Sequence, residues 1–214
     1  RKEGNAQPWT QKVKQVLADY IAAGRDLDTI PVNEFYAPSQ IDFTHGGYIC
    51  VDGLYYAYLL VPSTGYKTQV PAGWLSLLVN AGDGIDMDLF LTRQPKDRMV
   101  RKLGQQLRIN RSKIRETSDT NTDFDDLDGA IRSGYFLKDG LGNNEDFYYL
   151  NLLVTVTAEN VEDLEWKVAE LKKLMLSQDM DVQTCSFCQE QAFLSSMPLV
   201  SLERHLYERS KRNV

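Results

Sequence analysis

Cysteine and histidine are scarce in this sequence. Its 214 residues include three cysteines and two histidines, too few for a disulfide framework, and the odd number of cysteines suits a reducing compartment. No run approaches the roughly 20 apolar residues that a membrane-spanning helix needs, and the first residues do not resemble a signal peptide. These absences predict a soluble intracellular protein.

The short motifs of nucleotide and acyl-transfer chemistry are also missing. The sequence has no G-x-x-x-x-G-K-[ST] loop and no G-x-G-x-x-G between a strand and a helix. It has no G-x-S-x-G, and neither His45 nor His205 has a recognisable nucleophile partner. We therefore expect no catalytic residue, no metal site and no cofactor in this chain.

The overall composition is that of an ordinary globular protein. Hydrophobic residues make up 43% and charged residues 25% of the chain, and the net charge is −6. A length of 214 residues fits one large domain or two small packed ones. The acidic balance argues against wholesale binding to nucleic acid.

Residues 80–93, NAGDGIDMDLFLTR, combine two glycines with three aspartates and invite comparison with a phosphate or metal loop. Phosphate cradles lie before a helix, where free amide groups attract anions. Here the glycines follow a helix-like segment, whose carbonyl end repels anions. The aspartate spacing does not fit a calcium loop either. The stretch is predicted to be a turn followed by a half-buried strand.

Hydrophobic periodicity divides the first half of the chain into short elements. Residues 9–23 have the spacing of a helix that stops at Gly24, and residues 41–61 have the tight-turn pairs of a three-stranded meander. A short helix with Pro71 near its first turn and Gly82 at its end is expected next. The strand over 85–93 follows it.

A second strand-helix-strand unit is predicted after residue 146. FYYLNLLVTVT is strongly strand-forming, Asn160 and Asp163 have the spacing of a capping box, and MDVQTCSF is the expected returning strand. YYAYLLV at 55–61 and YYLNLLV at 148–154 agree at five of seven positions, and each leads through a helix to a strand with DMD. The expected fold class is α+β, a mixed or antiparallel sheet with packed helices, built from two related units like ferredoxin halves.

The CSFC motif at 185–188 allows two interpretations. Its spacing is that of half a zinc ribbon or a redox pair, but the sequence has no second pair. Free cysteine usually behaves as a small buried hydrophobe. Structural packing is the preferred interpretation.

A strongly basic segment separates the two units. Residues 93–115 hold nine basic side chains and one acidic, and Met99, Leu103 and Leu107 form a helical stripe. Residues 116–128 then hold six acidic side chains and no basic one. The helix either contacts an anionic surface or is a solvated face balanced by the acidic stretch. The candidate contact residues are Arg98, Arg101, Lys102, Arg108, Arg111 and Lys113.

Most of residues 30–214 resembles the N-terminal region of conjugation ATPases, the motor proteins of type IV secretion systems. The resemblance rests on the meander FYAPSQIDFTHGGYICVDGLYYAYLLVPSTGY, the unit VPAGWLSLLVNAGDGIDMDLFLTRQP, the basic helix and the segment from NLLVTVT to SSMPL. It implies a non-catalytic assembly and docking domain. In that family a RecA-like domain further along the chain binds ATP and magnesium.

The same resemblance implies where the domain works and with what. Its expected partners are other secretion components, including inner-membrane proteins, with self-association in the full-length protein. Its expected location is the cytoplasm, at the inner face of the cell membrane. The chain has no initial methionine and stops within a helix-like segment, so we expect it to be part of a longer protein. A nucleic-acid-binding module using the helix over 96–115 is the alternative function.

The expected organisation has five parts. They are a helix and lead-in over 1–40, a meander and first unit over 41–93, a charged helical insert over 94–146, a second unit over 147–197 and a C-terminal helix over 198–214.

Overall fold

One antiparallel sheet of six strands organises the protein, as the computed structural model shows for residues 8–67, 70, 72–116, 122–199 and 201–206. The strands are β1 (Ile41–Asp42), β2 (Ile49–Val51), β3 (Leu54–Val61), β4 (Ile85–Gln94), β5 (Phe147–Ala158) and β6 (Gln183–Thr184). The helices are α1 (Pro8–Ala22), α2 (Asn33–Tyr36), α3 (Ser76–Val79), α4 (Lys96–Glu116), α5 (Thr122–Gly142), α6 (Val161–Ser177) and α7 (Gln189–Ser196). The predicted α+β class is confirmed.

The two strands with matching sequences lie side by side at the centre of the sheet. The strand order is β1-β2-β3-β5-β4, and β6 pairs with the part of β3 that β2 leaves open. Leu59 pairs with Val154 and Val61 with Leu152. Because helices pack on both faces of the sheet at this point, the apolar runs of β3 and β5 are buried on both faces. The two strand-helix-strand units therefore share one sheet.

The face of the sheet that α3 and α6 cover holds the larger apolar cluster. Alternate residues of β3 and β5 point to this side, among them Leu59 and Val154, and both are fully buried. Leu164, Leu171 and Met175 of α6 pack on them. The helix begins as predicted, with the Asn160 side chain accepting a hydrogen bond from the Asp163 amide at 2.8 Å.

The opposite face of the sheet is covered by α7, with Leu202 and Leu206 packed in the same cluster. Tyr58, Leu60 and Leu153 point to this side and pack with Ala192 of α7. Burial raises the pKa of the Tyr58 phenol, which therefore stays neutral. Each face of the sheet thus has its own core.

Three predicted elements differ from the structure in length. The helix expected after residue 70 is only the four residues Ser76–Val79, because Gly73, with φ +75°, interrupts the helical backbone before them. The returning strand is only Gln183–Thr184, which pairs with Leu60 and Leu59 of β3. With α3 so short, the ferredoxin-like relation of the two units stays a prediction. Pro71 and residues 207–214 of the expected C-terminal helix lie outside the described residues.

A two-helix arm joins the paired strands β4 and β5. Their register runs without interruption from Ile85 opposite Val156 to Gln94 opposite Phe147. Each helix of the arm has 21 residues and is therefore about 30 Å long. The two helices pack chiefly against each other. None of the described helices is long and apolar enough to cross a membrane.

Candidate functional site

The glycines of the 80–93 stretch form a turn that leads directly into β4, as predicted. Gly82 and Gly84 have φ of +127° and +77°. The Lys167 ammonium donates hydrogen bonds to the carbonyl oxygens of Asp83 at 3.1 Å and Thr157 at 2.9 Å. Lys167 of α6 thus bridges the Asp83 carbonyl of the turn and the Thr157 carbonyl of β5. Within the part of the chain that the structure describes, no group of three metal-ligating side chains could hold a metal ion.

Asp88 on β4 has a distinct electrostatic environment. Partial burial raises the pKa of its carboxyl group, and the neighbouring charge of Asp86 raises it further. Folding therefore favours the protonated form of Asp88. Its contribution to stability is present at low pH and is lost as the pH rises from the unfolded pKa towards the folded one. At neutral pH the ionised Asp88 carboxylate therefore lowers the stability of the fold.

The CSFC motif contributes to packing. Cys185 is buried and Cys188 lies immediately before α7, and both belong to the apolar cluster under that helix. Phe187 between them has φ +59° and is 90% exposed, and its ring lies over Gly46. The Phe187 amide donates to the Gly46 carbonyl at 2.9 Å. The motif therefore joins the 45–47 loop to α7.

An open groove lies between α1 and the lead-in to the sheet. Its volume is about 960 Å³, and its lining includes Lys12, Glu34 and Asp52. The Lys12 ammonium lies 3.8 Å from the Asp52 carboxylate. Asp52 in turn accepts hydrogen bonds from the amides of Ser39 and Gln40, each at 2.9 Å. These contacts hold the lead-in against the sheet.

The six candidate basic residues all lie exposed on α4, which forms the first half of the arm. Met99 and Leu107 on the other side of the helix are buried. Because residues three and four apart share a face of a helix, the arginines at 98, 101 and 108 point away from this buried side. The interpretation of this segment as an amphipathic helix is confirmed.

The acidic stretch after α4 does not pair with these arginines where the structure describes both. None of the described ion pairs involves Arg98, Arg101, Lys102, Arg108 or Arg111. Asp128 of α5 pairs instead with Arg132 of the same helix. Residues 117–121 of the acidic stretch, and the side chains of residues 122 and 123, lie outside what the structure describes.

The basic side chains of α4 contact aromatic rings and neutral groups. The Arg111 guanidinium lies 5.9 Å from the centre of the Tyr135 ring on α5. The Lys102 ammonium lies 5.9 Å from the Tyr149 ring and 3.4 Å from its hydroxyl oxygen. Such contacts orient a cation without neutralising it. The outer side of α4 remains positively charged.

The other helix of the arm carries an exposed apolar group that the sequence pattern does not reveal. Tyr135, Phe136 and Leu137 are 44%, 77% and 39% exposed. Gly134 allows the close contact beside them, since a Cβ there would lie 2.9 Å from the Leu107 side chain. The arm therefore presents positive charge on α4 and aromatic surface on α5.

Comparison with known proteins identifies no relative. No family model, no curated protein and no solved structure matches this chain.

Proposed function

We propose that this chain is a non-catalytic assembly and docking domain of a type IV secretion ATPase from a conjugative element. The sequence resemblance suggests the parent protein. One structural observation carries the docking role: a two-helix arm of about 30 Å extends from the sheet with Phe136 77% exposed. Exposed aromatic residues of this kind often mark protein-binding surfaces.

The arm is suited to a partner at the cytoplasmic face of an inner membrane. Its α5 side offers aromatic contact area, and its α4 side offers positive charge that anionic headgroups attract by about 1 kcal/mol for each nearby Lys or Arg. A membrane subunit of the same apparatus presents protein and lipid together. ATP and magnesium would be bound by a RecA-like domain elsewhere in the parent.

Changing Phe136 to serine will weaken binding to the membrane subunit that this domain engages. Losing a central aromatic contact reduces affinity about tenfold or more. The measurement is biolayer interferometry of the chain against each inner-membrane subunit of its own transfer system. Leu194→Ser on α7, where the leucine is 43% exposed, is the control and should bind normally.

Two results would contradict the proposal. One is failure of the unaltered chain to bind any of those subunits. The other is saturable binding of ATP with magnesium, followed by hydrolysis that persists through purification. The second result would make the chain itself an enzyme.

Reversing Arg101, Arg108 and Arg111 to glutamate will release the chain from anionic vesicles. These three side chains are exposed, so the fold should change in stability by only about 0.5 kcal/mol for each substitution. Sedimentation with vesicles containing phosphatidylserine measures the effect. Reversal of Lys14, Lys138 and Lys173, exposed on three other helices, changes the net charge equally and should leave pelleting unchanged. Equal pelleting of the two reversed proteins would show that α4 is an ordinary solvated face.

A nucleic-acid-binding module is the alternative function. It is favoured by the exposed arginines 98, 101 and 108 of α4, which take part in no ion pair among the described residues. Affinity for DNA would fall with salt at a slope of roughly −0.7 to −0.9 for each phosphate contact. Gel shifts with single- and double-stranded DNA at two salt concentrations test this alternative. The absence of a shift at low salt would eliminate it.

A further inference from the structure

The outer edge of β4 is open. β4 is the last strand in the sheet order, and no strand among the described residues pairs with its far side. It is ten residues long, Ile85–Gln94. An edge of this length offers a row of backbone donors and acceptors to another strand.

The hydrogen bonding of the turn shows which backbone groups point outward. The Thr157 amide donates to the Gly84 carbonyl at 2.7 Å, so Gly84 faces β5. Backbone groups alternate in direction along a strand, and the β4–β5 register continues without a bulge to Gln94. The residues whose amide and carbonyl groups point outward are therefore Ile85, Met87, Leu89, Leu91 and Arg93.

This edge lacks several of the features that usually prevent pairing. Protected edge strands are often short, bulged, or interrupted by lysine or proline, whereas β4 has ten residues in unbroken register and contains neither residue type. Its charged side chains are Asp86, Asp88 and Arg93. Leu89 and Leu91 are 47% and 66% exposed on the face that α6 covers only in part. Asp86 and Asp88 point to the opposite face. The outer strand thus combines unpaired backbone with exposed leucine.

We propose that this edge pairs with the same edge of a second copy of the chain, antiparallel, about a two-fold axis at Leu89. Leu89 then lies opposite Leu89 of the second copy, and Met87 lies opposite its Leu91. The sheet continues from one copy into the other. The inference goes beyond the docking function and does not depend on it.

The choice of register follows from charge and hydrogen bonding. With the axis at Leu89, all five outward residues form hydrogen-bonded pairs, giving about ten bonds between the copies at two for each pair. Moving the axis to Asp88 places the two Asp88 carboxylates directly opposite, which is destabilising. Moving it to Phe90 places Ile85 opposite Pro95, which has no amide hydrogen.

A second copy suits this edge better than an unrelated strand because the edge is complementary to itself. The pairing covers Leu89 and Leu91 of both copies. Asp88 lies opposite Phe90 of the second copy and diagonal to its Asp88, about 7–8 Å away. With a net charge of −6 on each copy, the dimer should be weak, and salt should strengthen it by screening.

Sedimentation velocity over protein concentration tests the pairing. The unaltered chain should pass from monomer to dimer between about 5 and 300 µM, the range of a weak reversible interface. Leu89→Lys should remain monomeric, because it places two ammonium groups at the axis. Leu194→Lys makes the same change at a leucine of similar exposure, 43%, on the other face of the sheet, and should still dimerise. Each variant's thermal unfolding confirms that it folds.

Cysteine cross-linking tests the register. Leu89→Cys should form a covalent dimer under oxidised glutathione, because opposite residues in a hydrogen-bonded antiparallel pair have Cα atoms about 5.5 Å apart, within disulfide reach. Leu91→Cys should not cross-link to itself, since the two sites would be about 13 Å apart along the strand. A mixture of Leu91→Cys and Met87→Cys should cross-link. The unaltered chain, with its three native cysteines, measures the background.

The outcomes separate this inference from the docking function. A chain that stays monomeric at the highest concentration, a Leu89→Lys protein that still dimerises, or a Leu91→Cys protein that cross-links to itself would each overturn the pairing. Subunit binding through Phe136 is measured on dilute protein and would be unaffected. If a strand of another secretion subunit proved to occupy β4 in place of the second copy, the pairing would likewise be overturned.

Discussion

Replacing Leu59 with alanine will lower the free energy of unfolding by about 2–5 kcal/mol. Leu59 is fully buried on the central strand β3, opposite Val154, in the cluster that α6 covers. Truncation removes buried apolar surface and leaves a cavity that two rigid neighbouring strands cannot close. Urea unfolding followed by far-ultraviolet circular dichroism measures the change.

The control for Leu59 is Leu176 on α6, which is 61% exposed. Leu176→Ala makes the same chemical change and should alter stability by no more than about 0.5 kcal/mol. Similar losses for both variants would mean that the β3–β5 centre is not the core of the fold. The two variants together therefore test whether Leu59 is buried at the centre of the sheet.

Where the sequence pattern was strong and local, it predicted the structure well. The helix caps at Gly24 and Asn160 depend on neighbours in the chain, and both are observed. The alternation predicted for β4 holds only from Ile85 to Met87, because Asp88 is half-buried and Leu89 is 47% exposed. The tight turn at Asp52 and Gly53 has positive φ at both residues, +50° and +85°, as an aspartate-glycine hairpin requires. Local chemistry was sufficient for these elements.

The second helix of the arm could not be predicted with the same certainty. Its sequence includes Gly129, Gly134, Gly140 and Gly142, each of which disfavours a helix by about 1 kcal/mol relative to alanine. The structure places Gly134 where α5 meets Leu107 of α4. Packing on α4 therefore overrides the local preference, and packing cannot be read from propensity.

The candidate surface was predictable only in the part that depends on local helical spacing. Helical spacing predicts that Arg98, Arg101 and Arg108 of α4 face away from Met99 and Leu107, and all three are exposed. Whether they are neutralised depends on the position of α5 relative to α4, which no local pattern encodes. The exposure of Phe136 and the open edge of β4 likewise depend on which neighbours each element has in three dimensions.

The turn that leads into β4 gives the second prediction of large effect. Gly84→Ala will destabilise the fold by about 2–4 kcal/mol, from backbone strain and steric overlap together. Gly84 has φ +77°, and a Cβ there would lie 2.6 Å from the Thr157 carbonyl oxygen. That oxygen is fixed in β5 and accepts a hydrogen bond from Lys167 at 2.9 Å, so it cannot easily move.

Gly53→Ala separates the two causes. Gly53 has a similar φ of +85°, but a Cβ there would meet nothing within 4 Å. Gly53→Ala should therefore lower the free energy of unfolding by only about 1 kcal/mol, the penalty for an L-residue in the left-handed region. Urea unfolding of both variants gives the difference, which is the cost of the overlap with Thr157. Equal losses would show that the close approach of the turn to β5 does not hold β4 in place, whereas a larger loss at Gly84 would identify this glycine as the residue that allows β4 to join the sheet.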